Sequence, residues 1–289
     1  MQSSERARAG TKAAAVLFIL TDLLLLVVLG VLMARADFSG SAAQQAAEIE
    51  RGREYIETLE ARDTEFIMSQ VQTIRTQAML AELEAEVTVE QDDEGASVMD
   101  ITVDPETVWE RFEDYAILGD SRAVGFSYYG FLPENRVFAD LGATILVMED
   151  WGAQAAQLNP SYVFTAFGVN DIITDIWTTA EDYAEAYGEH IDALHEMMPN
   201  AKLFVMSTLP TQEFTFSSHY QFANIPEYNE ALQAMCEERD YAYFIDNSQV
   251  VEEHSDLYEG DGIHLNHAFY KYWAANMIEA VYKTEFAVG

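Results

Sequence analysis

From Tyr115 onward, short apolar runs alternate with longer segments whose apolar residues recur every three or four positions. That rhythm restricts the fold more than any other feature, because strands separated by helices cannot pair as hairpins. They must form a parallel sheet with helices on both faces. The runs predict strands near 115–119, 136–140, 161–167, 202–207 and 241–246. The intervening pattern predicts helices near 122–130, 149–157, 180–198, 226–239 and 266–283. The expected fold class is α/β: a flavodoxin-like three-layer αβα sandwich with a five-stranded parallel sheet, preceded by an N-terminal transmembrane helix and a helical stalk.

In open parallel sheets the ligand crevice lies beyond the carboxyl ends of the strands, so the residues that end each run are candidates for chemistry. The first run stops at Gly119-Asp120-Ser121. The second is followed by Gly142, and the third, Tyr162 to Phe167, by Gly168-Val169-Asn170-Asp171. Near the C-terminus stands Asp261-Gly262-Ile263-His264. Each has a plain reading as well. Gly142 can be a strand-ending glycine, Asn170 an Asx turn, Asp171 a helix cap for Ile172 onward, and His264 a side chain packed beside the next helix. His267 reads as a surface residue and Asp120 as a structural part of the serine turn.

Taken in order, Ser, Gly, Asn and Asp-x-x-His resemble the SGNH (GDSL-like) hydrolase family over about residues 115 to 285. The resemblance implies the fold stated above and a serine hydrolase. It implies Ser121 as nucleophile, His264 as base and Asp261 as the group orienting the histidine. The oxyanion donors would be the backbone N–H groups of Ser121 and Gly142 and the side-chain amide of Asn170. The departure is Arg122, where the family's name motif has leucine; it would either bind an anionic substrate group or pair with one of the chain's many acids, and pairing is the expectation.

Fifteen Lys and Arg oppose fifty Asp and Glu, a formal charge of −35. Such a surface repels nucleic acid and anionic headgroups, so no nucleic-acid partner is expected. Cys236 is the only cysteine, which excludes an intrachain disulfide; its helical spacing with Tyr228 and Leu232 makes it a core residue. His190, His195, His219 and His254 show no metal-ligand spacing, and no phosphate-binding glycine loop is present, so neither a metal nor a nucleotide cofactor is expected.

Residues 13 to 33 are apolar for long enough to cross a hydrocarbon core of about 30 Å. Arg6, Arg8 and Lys12 precede them and Arg35 follows, so residues 1–12 are expected in the cytoplasm, 13–36 as a transmembrane signal anchor and the remainder outside. The rival is a cleaved signal peptide ending at Ala34-Arg35-Ala36, but the apolar run exceeds the usual h-region. Asp22 within the span would cost about 2.5 to 3.5 kcal/mol. Either the leucines around it outweigh that, or it contacts a membrane-protein partner.

Residues 37–103 read as a helical stalk plus a small β-hairpin. Residues 42–86 carry apolar positions at helical steps without proline, and Val87–Glu90 and Ser97–Val103 alternate around Asp92–Gly95. Asp104-Pro105 has the form of an N-cap and first helical residue, opening a helix through Trp109 and Phe112. Residues 104–289 would be the catalytic domain. The expected substrate is an acylated carbohydrate or another small ester outside the membrane, with hydrolysis and acyl transfer both open. The competing class is a surface binding module on the same scaffold, with the serine, aspartate and histidine as inert turns.

Overall fold

The computed structural model describes Arg51, Arg53, Val87–Gln91, and residues 97–174 and 176–287. The chain divides into two compact units, Met1–Val71 and Gln72–Gly289, and every element below lies in the second. The expected anchor at 13–36 with Asp22, the stalk helix at 42–86 apart from Arg51 and Arg53, and the turn at 92–95 lie outside the described residues. Among the described residues no helix is long and apolar enough to cross a membrane.

A two-stranded antiparallel hairpin comes first, β1 (Val87–Gln91) with β2 (Ser97–Ile101), Val89 opposite Met99. The helix expected after Asp104-Pro105 is shorter and tighter, a 3-10 segment at Val108–Arg111. Asp104 does accept Glu106 N–H at 2.9 Å. However, Glu113 N–H then bonds the Arg111 carbonyl and Asp114 takes φ 56°, so the chain turns into the sheet before an α-turn can propagate.

The main sheet holds β3 (Tyr115–Gly119), β4 (Val137–Ala139), β5 (Tyr162–Ala166), β6 (Lys202–Met206) and β7 (Ala242–Ile245). All neighbours are parallel, in the order β4-β3-β5-β6-β7. Counted within this sheet the order is 2-1-3-4-5, the flavodoxin-like arrangement, whose direction reverses between its first and third strands. That switch point lies between β3 and β5. The strands fall within two residues of those read from the sequence.

Alternation along the strands fills two cores. Ile117, Phe164, Phe204 and Met206 face one side, where they meet Phe126 of α1 (Ser121–Tyr128) and Trp273 and Met277 of α6 (Tyr270–Ala287). Ala116, Leu118, Val163, Leu203 and Val205 face the other. There they meet α2 (Met148–Ala155), α3 (Ala180–Met197) and α4 (Ile225–Glu237) through Met148, Tyr183, Tyr187 and Leu232. A short helix, α5 (Ser248–Glu253), follows β7. Burying each large apolar side chain contributes about 1.5–3 kcal/mol, so strand runs apolar on both faces are what hold the layers together. Cys236 is buried within the second core, and burial pushes its thiol up to about 12.

Helix starts follow local chemistry. Thr179 caps α3 by accepting Asp182 N–H at 3.0 Å, and α4 carries proline in its first turn. The hairpin is tied to this unit through Val103 N–H, which donates to Glu279 Oε1 of α6 at 2.9 Å.

Candidate active site

The corner between β3 and α1 is built by close approach. A side chain at Gly119 would press its Cβ to 2.7 Å from the Ala166 carbonyl and 2.6 Å from the Ala123 Cβ, so only glycine lets β5 and α1 come this near. Asp120 N–H donates to that same Ala166 carbonyl at 3.0 Å, while its side chain accepts Arg122 N–H at 3.0 Å and caps α1. Ser121 is the first residue of α1, where a helix leaves its backbone N–H without an intrahelical acceptor. Burial raises the Asp120 carboxyl, opposed by the nearby Arg122 charge and by N–H donors from Arg122 and Val169.

The histidine arrives on a small closed loop between Leu257 and Asn266. Asn266 N–H bonds the Leu257 carbonyl at 2.8 Å, Glu259 N–H bonds the His264 carbonyl at 2.7 Å, and Tyr258 pairs with Leu265. At its tip, Asp261 Oδ1 accepts Ile263 N–H at 2.8 Å and His264 N–H at 2.9 Å, while Oδ2 lies 2.6 Å from His264 Nδ1 as a hydrogen-bond partner. His264 Nε2 lies 2.9 Å from Ser121 Oγ. With Nδ1 protonated toward Asp261, Nε2 is the acceptor for the serine hydroxyl. Partial burial works to raise the Asp261 carboxyl, but its bonds to the His264 ring and to the two backbone N–H groups prevail and hold it below the usual carboxylate range.

Asn170 and Gly142 stand beyond the strands flanking β3. Gly142 takes φ +74°, a left-handed conformation that other residues rarely adopt. Asn170 Nδ2 donates to the Ala143 carbonyl at 2.9 Å, which uses one of its two hydrogens. Asp171 does not cap a helix, because residues 171–174 form only a turn. Its Oδ1 instead accepts Ile145 N–H at 2.9 Å. Residues 170 and 171 together therefore cross-link the loop after β5 to the loop after β4. Asp171 is buried with Oδ2 unpartnered among the described residues, and burial pushes its carboxyl up to about 7, against the Ile145 N–H bond and with the Asp120 charge adding to the rise.

Arg122 departs from the expectation that it pairs with one of the chain's acids. It is 3 % exposed, it forms no ion pair among the described residues, and Nη1 donates to the Leu209 carbonyl. His267 is exposed beside Tyr129 and Phe131. His190 bonds Glu149 at 2.9 Å and His195 stacks on Tyr241, so neither joins the site. The loops after β4, β5 and β6 also expose Leu141, Leu146, Ile176, Phe214 and Tyr220, an apolar rim on the same edge of the sheet.

A family model described as GDSL-like Lipase/Acylhydrolase matches residues 117–272, just over half of the chain. The chain belongs to the GDSL-like lipase/acylhydrolase family. As a member of that family it carries an acylhydrolase domain, and the match spans the serine corner, the asparagine loop and the histidine loop. No curated protein matches the sequence. Among solved structures, the GDSL-like domain is similar to a Streptococcus pneumonia protein named for platelet activating factor (16% identity, TM-score 0.49, 73% of this chain and 99% of that one). It is also similar to a carbohydrate esterase family 3 protein from Talaromyces cellulolyticus (16%, 0.47, 61% and 99%) and to a family 3 carbohydrate esterase of Clostridium thermocellum (20%, 0.47, 60% and 97%).

Proposed function

We propose that the domain is a serine esterase or O-acyltransferase that works through an acyl-Ser121 intermediate on O-acyl, chiefly acetyl, groups of glycan outside the membrane. The observation that carries this reading is the unbroken line from Asp261 Oδ2 through the His264 ring to Ser121 Oγ, at 2.6 Å and 2.9 Å. In the first half-reaction Ser121 Oγ attacks the ester carbonyl while its proton passes to His264 Nε2. Asp261 stays ionised and stabilises the imidazolium. The oxyanion accepts from the N–H groups of Ser121 and Gly142 and from the second Asn170 Nδ2 hydrogen. Collapse breaks the bond to the leaving alcohol, which takes the proton back from Nε2. Water or a sugar hydroxyl then gives its proton to Nε2 as it attacks the acyl-serine, releasing acid or a new ester.

The rim favours such a substrate. Phe214 and Tyr220 offer aromatic faces of the kind that sugar rings lie against, and the strongly acidic chain disfavours polyanions. The apolar run at 13–33 supports a single-pass anchor with the domain outside the cell, and Asp22 within it supports a membrane partner able to deliver acyl groups. Loss of membrane association on deleting residues 1–36 tests the anchor.

Fluorophosphonate labelling tests the chemistry. The full chain should be modified stoichiometrically at Ser121, and Ser121→Ala should abolish labelling. Well-folded protein that resists the probe would instead be a binding module. Acetyl release from a model ester, with and without an oligosaccharide acceptor, separates hydrolysis from transfer.

A further inference from the structure

In a chain with a formal charge of −35 and only fifteen Lys and Arg, Arg122 is placed inside the domain beside the serine. Its guanidinium cannot shed its proton and makes no ion pair among the described residues, and Nε and Nη2 are buried there without acceptors. Such a placement is unfavourable. Its one side-chain bond among the described residues, from Nη1 to the Leu209 carbonyl, reaches a segment whose other contacts lead to the histidine loop. Tyr258 Oη donates to the Pro210 carbonyl at 2.6 Å, and Gln212 N–H donates to the Gly262 carbonyl at 2.9 Å. Residues 209 to 212 are thus a strap, held by the serine helix at one end and by the turn between Asp261 and His264 at the other. The Arg122 backbone is fixed as well, since its carbonyl accepts Tyr270 Oη from α6 at 2.8 Å and its N–H is held by Asp120. The guanidinium also faces the charges or dipoles of Asp120, Tyr258, Tyr270 and Asp261.

We propose that Arg122 is a positioning residue, holding the Asp261–His264 turn in register with Ser121 through the strap of residues 209 to 212. The half-exposed histidine loop is closed by its own backbone bonds, which leave its height over the serine to be set from outside the loop. The strap supplies that reference, because one end is bonded to the residue that follows the nucleophile. This inference rests on the roles proposed above for Ser121, Asp261 and His264, and its test includes a readout that needs no turnover.

Full-length Arg122→Leu, Arg122→Lys and Tyr258→Phe are compared with the parent on a chromogenic acetate ester and by NMR of histidine-labelled protein. In the parent, the proton on His264 Nδ1, bonded to Asp261 Oδ2 at 2.6 Å, should resonate far downfield. Arg122→Leu should lower kcat about a hundredfold at little-changed KM, the size expected when reacting groups shift by about 1 Å. The same variant should broaden the downfield resonance by exchange with water. Arg122→Lys, which restores a donor and a charge, should recover the resonance and part of kcat. Tyr258→Phe, which removes the histidine loop's bond to the strap at Pro210, should lower kcat about three- to tenfold, the worth of one hydrogen bond. An Arg122→Leu protein with unchanged kcat and an unchanged resonance would overturn the proposal. If Arg122→Leu does not fold, Tyr258→Phe decides, and the proposal fails if that variant matches the parent in both readouts. A parent protein that is not labelled by fluorophosphonate would count against the catalytic reading instead, leaving the NMR comparison to judge the strap.

Discussion

Ser121 and His264 lie 2.9 Å apart, yet they come from regions of opposite character. The serine corner is part of the core: Asp120 is buried, Gly119 lies against the Ala166 carbonyl, and α1 is packed beneath Tyr270 and Trp273. The side chains of Asp261 and His264 are 48 % and 42 % exposed and belong to a loop closed by its own backbone bonds. The proposed nucleophile is therefore positioned by the interactions that keep the protein folded, and the proposed base by its loop's own bonds and the strap of residues 209 to 212, a few bonds that could fail while the fold survives. Changes on the serine side should couple activity to stability, and changes on the histidine side should separate them.

Asp261→Asn is the sharpest way to break this contrast. The amide can still accept the Ile263 and His264 N–H groups, but it favours the wrong imidazole tautomer, so kcat should fall about 10⁴-fold. Thermal unfolding should shift little, and a collapse in melting temperature would show the loop to be part of the core after all. Asn170→Ala removes a proposed oxyanion donor and the bond to the Ala143 carbonyl together. Steady-state kinetics should show a loss of about 10²–10³ in kcat.

Asp171→Asn probes stability on the buried side. Burial lifts this carboxyl to about 7 in the folded protein, against an ordinary value of 3.8, so between these two values the unfolded chain binds fewer protons than the folded one. The stability linked to this proton is thus full below the unfolded pKa and is lost as pH rises through about 7, falling by about 1.4 kcal/mol for each pH unit crossed between the two values. The asparagine variant keeps an acceptor for Ile145 N–H without the charge. Denaturant melts at pH 5 and pH 8 should show a smaller difference for the variant than for the parent.

What could be read from the sequence follows the same division. Strand positions were legible because buried parallel strands are apolar on both faces, and the motif residues stood out because each ends such a run. The burial of Arg122 was not legible, since a charged side chain in an acidic protein is ordinarily paired or solvated, and nothing near position 122 signals a carbonyl 87 residues away. Asp171 was misread for a related reason: an aspartate before apolar residues looks like a cap, and only the fold brings Ile145 N–H to it. The segment of residues 209 to 212 has no periodicity, so its bonds to Arg122, Tyr258 and Gly262 are visible only in space. The helix expected after Asp104-Pro105 shrank to Val108–Arg111 because the turn at Asp114 takes precedence over local propensity.

The apolar rim has a consequence for how such a protein can change over time. Leu141, Leu146, Ile176, Phe214 and Tyr220 sit on connecting segments rather than on the strands or on the serine helix. Phe214 lies against Gly262, within the turn between Asp261 and His264, so a change there would reach the histidine, whereas Leu141, Leu146, Ile176 and Tyr220 stand on other connecting segments. Preference for one ester over another can therefore drift by single substitutions at those four positions, while the serine helix and the histidine loop are left as they are.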